Sequence, residues 1–333
     1  MTDKEYYSDT SMITNTMLGW ILSGAAYYLK KKKLAESNIE ETTSYLTFGN
    51  AVHCKLLEPD EFGKRYGVVM SKRPTGASQK TFCDTLISTT RATEKALIMA
   101  YKMSYSTAKL TDEKMLEKSQ LLYEDFKGYI TESRRIGDKI ELTSNEYSRI
   151  ENIVRNVRNH KAANRLLFES TKMEAKNEAI IKFKFMDIDF KSKLDRYIID
   201  PDKKKITVCD VKTHASQKES VNISISFVEA IKNYSYDRQL YLYTAALYSY
   251  FTENYPDEDI NEYTVEQKII VIQSNFDNYV KVFNITDKMM ESGERKVIKA
   301  VKRYKYFEEN GYEYDYDTKE NGEEDISIWH YLN

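Results

Sequence analysis

KSKLDRYIIDPDKKKITVCDVKTHAS, residues 191–216, decides how the chain reads. Its two halves are rich in Ile, Val and Tyr at alternating positions, and Asp200-Pro201-Asp202-Lys203 between them carries the residues of a tight turn. Residues 187–200 and 205–212 are therefore expected to be neighbouring antiparallel strands. Side chains at i and i+2 of a strand share a face, so Asp210 and Lys212 converge while Val211 turns into the core. Asp195, fifteen residues before Asp210, returns across the turn to the same neighbourhood. Two carboxylates meeting in this way are hard oxygen donors that suit Mg²⁺ or Mn²⁺. With a lysine beside them they suit phosphodiester hydrolysis. Taken alone, an Asp-x-Lys on a strand reads first as a surface ion pair, and the motif by itself is weak.

Outward from this stretch, residues 179–185 (AIIKFKF) complete a three-stranded meander. A long helix is expected over about 224–253, then strands 267–273 and 279–285 joined by a turn at Ser274 to Asn278, then a basic helix over about 287–307. Upstream, residues 11–35 read as an amphipathic helix ending in Lys30 to Lys33, and 44–57 as a second helix stopped by Glu58-Pro59. The Pro74-Thr75-Gly76 turn marks 67–82 as a flexible loop. From 83 to 168 the pattern is helical, interrupted near Gly137-Asp138, and its last helix opens at Thr143-Ser144 with Glu146 in the first turn. The order is that of an α+β protein, a mixed sheet flanked by helices with a helical N-terminal elaboration. The expected organisation is a single domain over 1–307, mainly helical over 1–170 and carrying the sheet and its helix over 171–285, followed by an acidic tail over 308–333.

Three further features stand near the Asp-Val-Lys strand in this arrangement. Gly49 and His53 are four apart on a helix and share a face; the glycine admits a close neighbour, and a neutral imidazole can complete a metal shell. Gln239 and Tyr243 are likewise four apart, an amide able to orient a phosphate or a water and a hydroxyl able to hold a carboxylate. Glu174 and Glu178 precede the first strand, and either can supply an acidic ligand.

The ordered set Gly49-x-x-x-His53, Asp195, Asp210-Val211-Lys212 and Gln239-x-x-x-Tyr243 resembles the motif series of the RecB-like branch of the PD-(D/E)XK nucleases. Within that branch, TFGNAVHCKLLEPDEF (47–62), the 191–216 stretch and NYSYDRQLYLYTA (233–245) are most similar to the C-terminal nuclease domain of RecE, exonuclease VIII, a kind common in phages and prophages. The resemblance implies a restriction-endonuclease-like core of three to five strands, Mg²⁺-dependent 5′ to 3′ degradation of double-stranded DNA, and a toroidal homo-oligomer. It also implies work beside a single-strand annealing protein in recombination. Carried over by position, His53, Asp195, Asp210 and the Val211 carbonyl become metal ligands and Lys212 the catalytic lysine, supported by Gln239 and Tyr243. The early acidic ligand falls on Glu178, by its place just ahead of the first strand, or on Glu174. Asp210 stands where many relatives carry glutamate.

Some RecB-like relatives carry an iron–sulfur cluster on four cysteines; Cys54, Cys83 and Cys209 are three and unpaired in spacing, so no such cluster is expected, nor a disulfide framework. The N-terminus lacks the blocks of a signal peptide and no run of about 18 apolar residues occurs, so a membrane-free, cytoplasmic protein is expected. With 50 basic against 52 acidic side chains the net charge is only -2, so any grip on DNA has to come from local clusters. Arg155, Arg158, Lys161 and Arg165 form one candidate, and the basic helix ending near Lys305 another; both also read as solvated helix faces.

Overall fold

The computed structural model describes residues 3–37, 44–107, 110–169, 174–216 and 222–313. The chain divides into two compact units, Met1–His53 with Arg155–Asn333, and Cys54–Val154.

After a short helix over Asp3–Ser8, the first unit continues with helices α1 (Asn15–Leu22) and α2 (Ala25–Glu36), and α3 (Ser44–Leu57) starts in it. The stretch expected as one helix over 11–35 is thus broken. Gly24 takes φ 115° between α1 and α2, a conformation that a residue with a Cβ rarely adopts. Five strands follow, β1 (Glu174–Phe185), β2 (Ile188–Asp200), β3 (Lys205–His214), β4 (Thr264–Gln273) and β5 (Val280–Asn284), and they lie side by side in chain order. β1, β2 and β3 form the antiparallel meander; β3 and β4 pair in parallel, and β4 and β5 pair antiparallel. A parallel pair needs a crossover, supplied by α4 (Ile223–Tyr234) and α5 (Tyr236–Asn254). The expected single helix over 224–253 is therefore two, because Ser235 sits in the left-handed region at φ 51° and the chain turns there. Helix α6 (Asp287–Asn310) closes the unit.

Ile206 and Val208 of β3, Phe183 of β1, Phe190 of β2 and Leu240, Leu247 and Phe251 of α5 are buried in one apolar core with α1 and α6 residues. Each such side chain contributes roughly 1.5–3 kcal/mol by leaving water. Asp210 and Lys212 share a β3 face with Ile206 and Val208, so they look toward the layer that contains α5.

The second unit is mainly helical, and Phe82, Leu86, Leu97, Phe126 and Ile130 form its core. The expected loop over 67–82 is structured: Tyr66–Val69 pairs in parallel with Ile140–Thr143, and Ala77–Ile87 is helical. The pairing partner lies more than seventy residues downstream, which is why local turn residues misread it. The long helical pattern after residue 83 is cut into Glu94–Ser104 and Asp112–Ile136, the latter ending where Gly137 takes φ 65°. The next helix opens on the expected cap: Thr143 Oγ1 accepts from the Glu146 amide at 3.1 Å while Glu146 accepts from the Thr143 amide at 2.8 Å. The acidic tail over 308–333 lies mostly outside the described residues.

Candidate metal centre

The meander opens where the carboxylates stand. The β2–β3 ladder runs from Asp200↔Lys205 to Arg196↔Cys209 and stops, so the next facing pair would be Asp195 with Asp210. The Val211 amide leaves the ladder and donates to Asp195 Oδ2 at 2.7 Å. On the other side of β2, the β1 ladder pairs Asn177↔Arg196 and Ala179↔Leu194 in one register but leaves out Glu178, which faces Asp195. Glu178 has φ 50°, a left-handed conformation that costs a non-glycine residue about 1–3 kcal/mol and tends to occur at working sites.

The consequence is a slip in side-chain alternation. Glu174 and Phe185 are an odd number of positions apart on β1, yet Glu174 accepts from Tyr250 and Phe185 packs on Tyr241, both on α5. On β2, Tyr197 packs on Tyr250 while Phe190, seven positions away, packs on Phe185. Both strands change phase at Glu178 and Asp195. The half of β2 that β3 leaves uncovered is met by the N-terminal segment: Ile13 donates to the Asp189 carbonyl at 2.9 Å and accepts from the Lys191 amide at 3.0 Å. Lys191 is fully buried there, its ammonium 2.6 Å from the Asp9 carbonyl and 3.0 Å from its carboxylate.

His53 arrives from α3. A Cβ at Gly49 would lie 3.0 Å from Thr213 Oγ1, so the glycine lets α3 lie close to the end of β3. One turn later, His53 Nδ1 is 3.7 Å from Asp195 Oδ2. Donor atoms of His53, Glu178 and Asp195 all lie within 4.8 Å of one another. Burial, then the Lys212 charge, push the His53 imidazole down to about 4, against the pull of Asp210 and a main-chain hydrogen bond with Val211. It is a neutral donor at physiological pH.

Asp210 stands beside this trio. It is fully buried, and burial followed by the Asp195 charge push its carboxyl up to about 6 against the opposing pull of Lys212. Lys212 donates to Oδ1 at 2.7 Å; Oδ2 is equally near the ammonium but has no partner in hydrogen-bonding geometry among the described residues. Burial raises Asp195 as well, while Lys212, the Val211 amide and Lys193 lower it. Burial would lower Lys212, but Asp210 and Asp195 outweigh it and hold the ammonium above its ordinary value; its Nζ lies 5.0 Å above the Tyr236 ring.

From α5, Gln239 Nε2 donates to the Tyr243 hydroxyl oxygen at 2.6 Å. Burial, then Asp195 and Asp210, hold the Tyr243 phenol well above its ordinary pKa, so it remains a neutral donor beside two carboxylates. The other early acid is committed elsewhere: Glu174 accepts from Tyr197 at 2.5 Å, from Tyr250 at 2.8 Å and from Tyr255. Burial would raise Glu174, and these hydroxyls hold it below its usual value instead.

The structure thus brings His53, Glu178, Asp195, Asp210, Val211, Lys212, Gln239 and Tyr243 to one place, the first three as the tight cluster. A hard divalent cation fits this set, because two carboxylates and a neutral imidazole converge while the orphaned Asp210 Oδ2 lacks a partner. The arginine cluster is not in it. Arg158 stacks on Phe168 with its guanidinium 4.1 Å from the ring centre. Arg165 lines a cleft with His160, Lys268, Lys281 and Asn284 at the β5 edge. Lys193, which sequence reading passed over, is in the site: it forms an ion pair with Glu178. Its only signal was the i, i+2 spacing to Asp195, which Lys182, Lys184 and Lys191 make unremarkable in strands so rich in lysine.

Residues 16–316 match the family described as PDDEXK-like domain of unknown function (DUF3799), and the chain belongs to that family. Its five-stranded mixed sheet flanked by helices is the restriction-endonuclease-like fold of the class. Among solved structures it is similar to a candidate exonuclease from Eubacterium rectale, at 15% identity over 88% of this chain and 98% of that one, with a TM-score of 0.38. It is also similar to the protein SSO0001, at 11% identity over 67% of this chain and 84% of that one, with a TM-score of 0.21. No curated protein sequence matches the chain. No helix among the described residues is long and apolar enough to cross a membrane.

Proposed function

We propose that the chain is a divalent-metal-dependent deoxyribonuclease that hydrolyses phosphodiester bonds, acting as a RecE-like 5′ to 3′ exonuclease on double-stranded DNA. The observation that carries the nuclease reading is the convergence of His53, Glu178 and Asp195 within 4.8 Å beside an Asp210–Lys212 pair on the adjoining strand. The narrower reading rests on the order of the motifs from Gly49 to Tyr243. Glu178, Asp195, Asp210 and His53 would hold Mg²⁺, or Mn²⁺ in its place. The chemistry such an ion supplies is charge neutralisation at the phosphate and a lowered pKa for water.

The chain's own residues do the rest. Asp210 holds the Lys212 ammonium at the mouth of the cluster, where it places a positive charge against the charge that builds on phosphate oxygens. Gln239 donates to the Tyr243 hydroxyl oxygen, which leaves the phenol's one proton available to the neighbouring carboxylates. A toroidal homo-oligomer and a single-strand annealing partner complete the proposal.

The test is hydrolysis of blunt linear duplex, closed circular duplex and single-stranded DNA with Mg²⁺ or Mn²⁺, against Asp195→Asn as control. Linear duplex should be digested from its 5′ ends, and closed circles left intact. Cleavage of closed circles would replace the exonuclease reading with an endonuclease one; equal cleavage by Asp195→Asn would overturn the site.

A further inference from the structure

Glu178 is already neutralised. The Lys193 ammonium forms an ion pair with its carboxylate, and the two side chains are each 15% exposed, so this is a sheltered pair with one side open to solvent. The same ammonium bears on the rest of the cluster, opposing protonation of both His53 and Asp195. With a neutral imidazole, the local charges are three carboxylates, Glu178, Asp195 and Asp210, and two ammonium groups, Lys193 and Lys212. The roles of the two lysines differ. Lys212 is held by Asp210, which lies outside the tight trio, whereas Lys193 is held by a member of that trio.

A dication and an ammonium cannot share the Glu178 carboxylate without strong repulsion in a sheltered site. We propose that Lys193 is an exchangeable counter-ion: it holds Glu178 until a dication takes that carboxylate, and is then turned over to a phosphodiester oxygen of the substrate. The proposal rests on the reading of the trio as a cation site. It adds that binding of the cation and of the anionic substrate are coupled through one side chain. The cation alone must displace Lys193 into solvent, while cation and phosphate together leave every charge paired. By linkage each then raises the affinity for the other.

The probe is Mn²⁺ alone, titrated calorimetrically into the folded full chain and into Lys193→Met, which keeps the apolar stem, Lys193→Gln and Lys193→Arg. Removal of the charge should tighten Mn²⁺ binding about tenfold or more in the Met and Gln variants, and Arg should restore the wild-type value. A phosphorothioate duplex that resists cleavage should tighten Mn²⁺ binding to the wild type several-fold and have little effect in Lys193→Met. A structural role for Lys193 predicts the reverse, weaker Mn²⁺ binding with a lowered melting temperature, and that result would overturn the proposal. So would unchanged affinity in both uncharged variants. If Mn²⁺ binds the wild type and is lost in Asp195→Asn, the cation site stands whatever Lys193 does; if Mn²⁺ binds neither, the site reading and this inference fall together.

Discussion

Burial pushes the Asp210 carboxyl up to about 6 and the His53 imidazole down to about 4, so the two groups change charge in different ranges of pH. A cation needs Asp210 ionised and His53 neutral. Below pH 6 the first condition fails while the second still holds. Mn²⁺ affinity should therefore fall about tenfold per pH unit below 6, and a midpoint near 4 would shift control to His53. Stability without the ion follows the same shifts. A carboxyl raised in the folded state contributes most below its unfolded value near 4, and that contribution is lost as pH rises through 6. His53, lowered in the folded state, works in the opposite sense, its contribution fading as pH falls toward 4. Asp210→Asn removes the first effect and, by taking away the charge that pulls His53 up, leaves the imidazole neutral over the same range. Its stability relative to wild type should rise between pH 4 and 7, on the order of 3 kcal/mol, as read from urea midpoints at each pH. Lys212 separates binding from chemistry. Lys212→Met should leave Mn²⁺ bound while slowing hydrolysis by about a hundred- to a thousandfold in single-turnover assays, the usual loss for one charge-stabilising donor.

At the scale of elements, α5 carries Gln239 and Tyr243, and its first turn is clamped by α6. Asp237 is 4% exposed and accepts from Ser292 at 2.7 Å and from Lys296 at 2.7 and 2.9 Å. The two helices touch backbone to backbone at Gly293, where a Cβ would lie 2.3 Å from the Asp237 carbonyl oxygen. Gly293→Ala forces the helices apart. It should destabilise the protein by about 1–3 kcal/mol or more, despite alanine's better helix propensity. Gly63→Ala meets nothing within 4 Å and should be neutral or stabilising by up to about 1 kcal/mol. Equal melting temperatures for the two variants would contradict the packing at Gly293. The same elements show what a single sequence can reveal. The meander, the hairpin and the shared face of Asp210 and Lys212 follow from period-two patterning, which is local. The breaks at Gly24 and Ser235 are set by backbone conformation, and serine gives no warning of a left-handed turn. The Tyr66–Val69 strand depends on a distant partner. At the site, Glu178 and Glu174 look alike in sequence; what separates them is the phase slip at Glu178 and the three tyrosines that take up Glu174, two of them from α5 or just beyond it.

At the scale of the molecule, a net charge of -2 gives a polyanion no overall attraction to the chain. Any affinity for DNA has to be built from a few local contacts, and its salt dependence counts them. Beyond Lys193 and Lys212, the cleft lined by Arg165, Lys268 and Lys281 at the β5 edge gathers positive charge on the same sheet. Three strand spacings separate β2 from β5, roughly 14 Å, comparable with the ~12 Å width of a B-DNA major groove. Lys268 is the register partner of Cys209 and so lies on the sheet face opposite Asp210; in the proposed reading, a duplex held at Asp195 brings a second stretch of backbone to this cleft around the β5 edge. Lys268 is spent on Glu266, at 2.8 Å, and on Asn284, at 2.7 Å, whereas Lys281 donates to the neutral Ser224 hydroxyl at 2.8 Å, so Arg165 and Lys281 are the better pair to change. Each phosphate contact adds about 0.9 to the slope of log affinity against log salt. Arg165→Gln with Lys281→Gln should therefore lower that slope by about 1.8, measured on a phosphorothioate duplex, while Mn²⁺ affinity measured without DNA stays at the wild-type value. An unchanged slope would place the duplex elsewhere and leave the β5 edge a solvated surface; a changed Mn²⁺ affinity would mean that the substitutions reach the metal centre through the sheet.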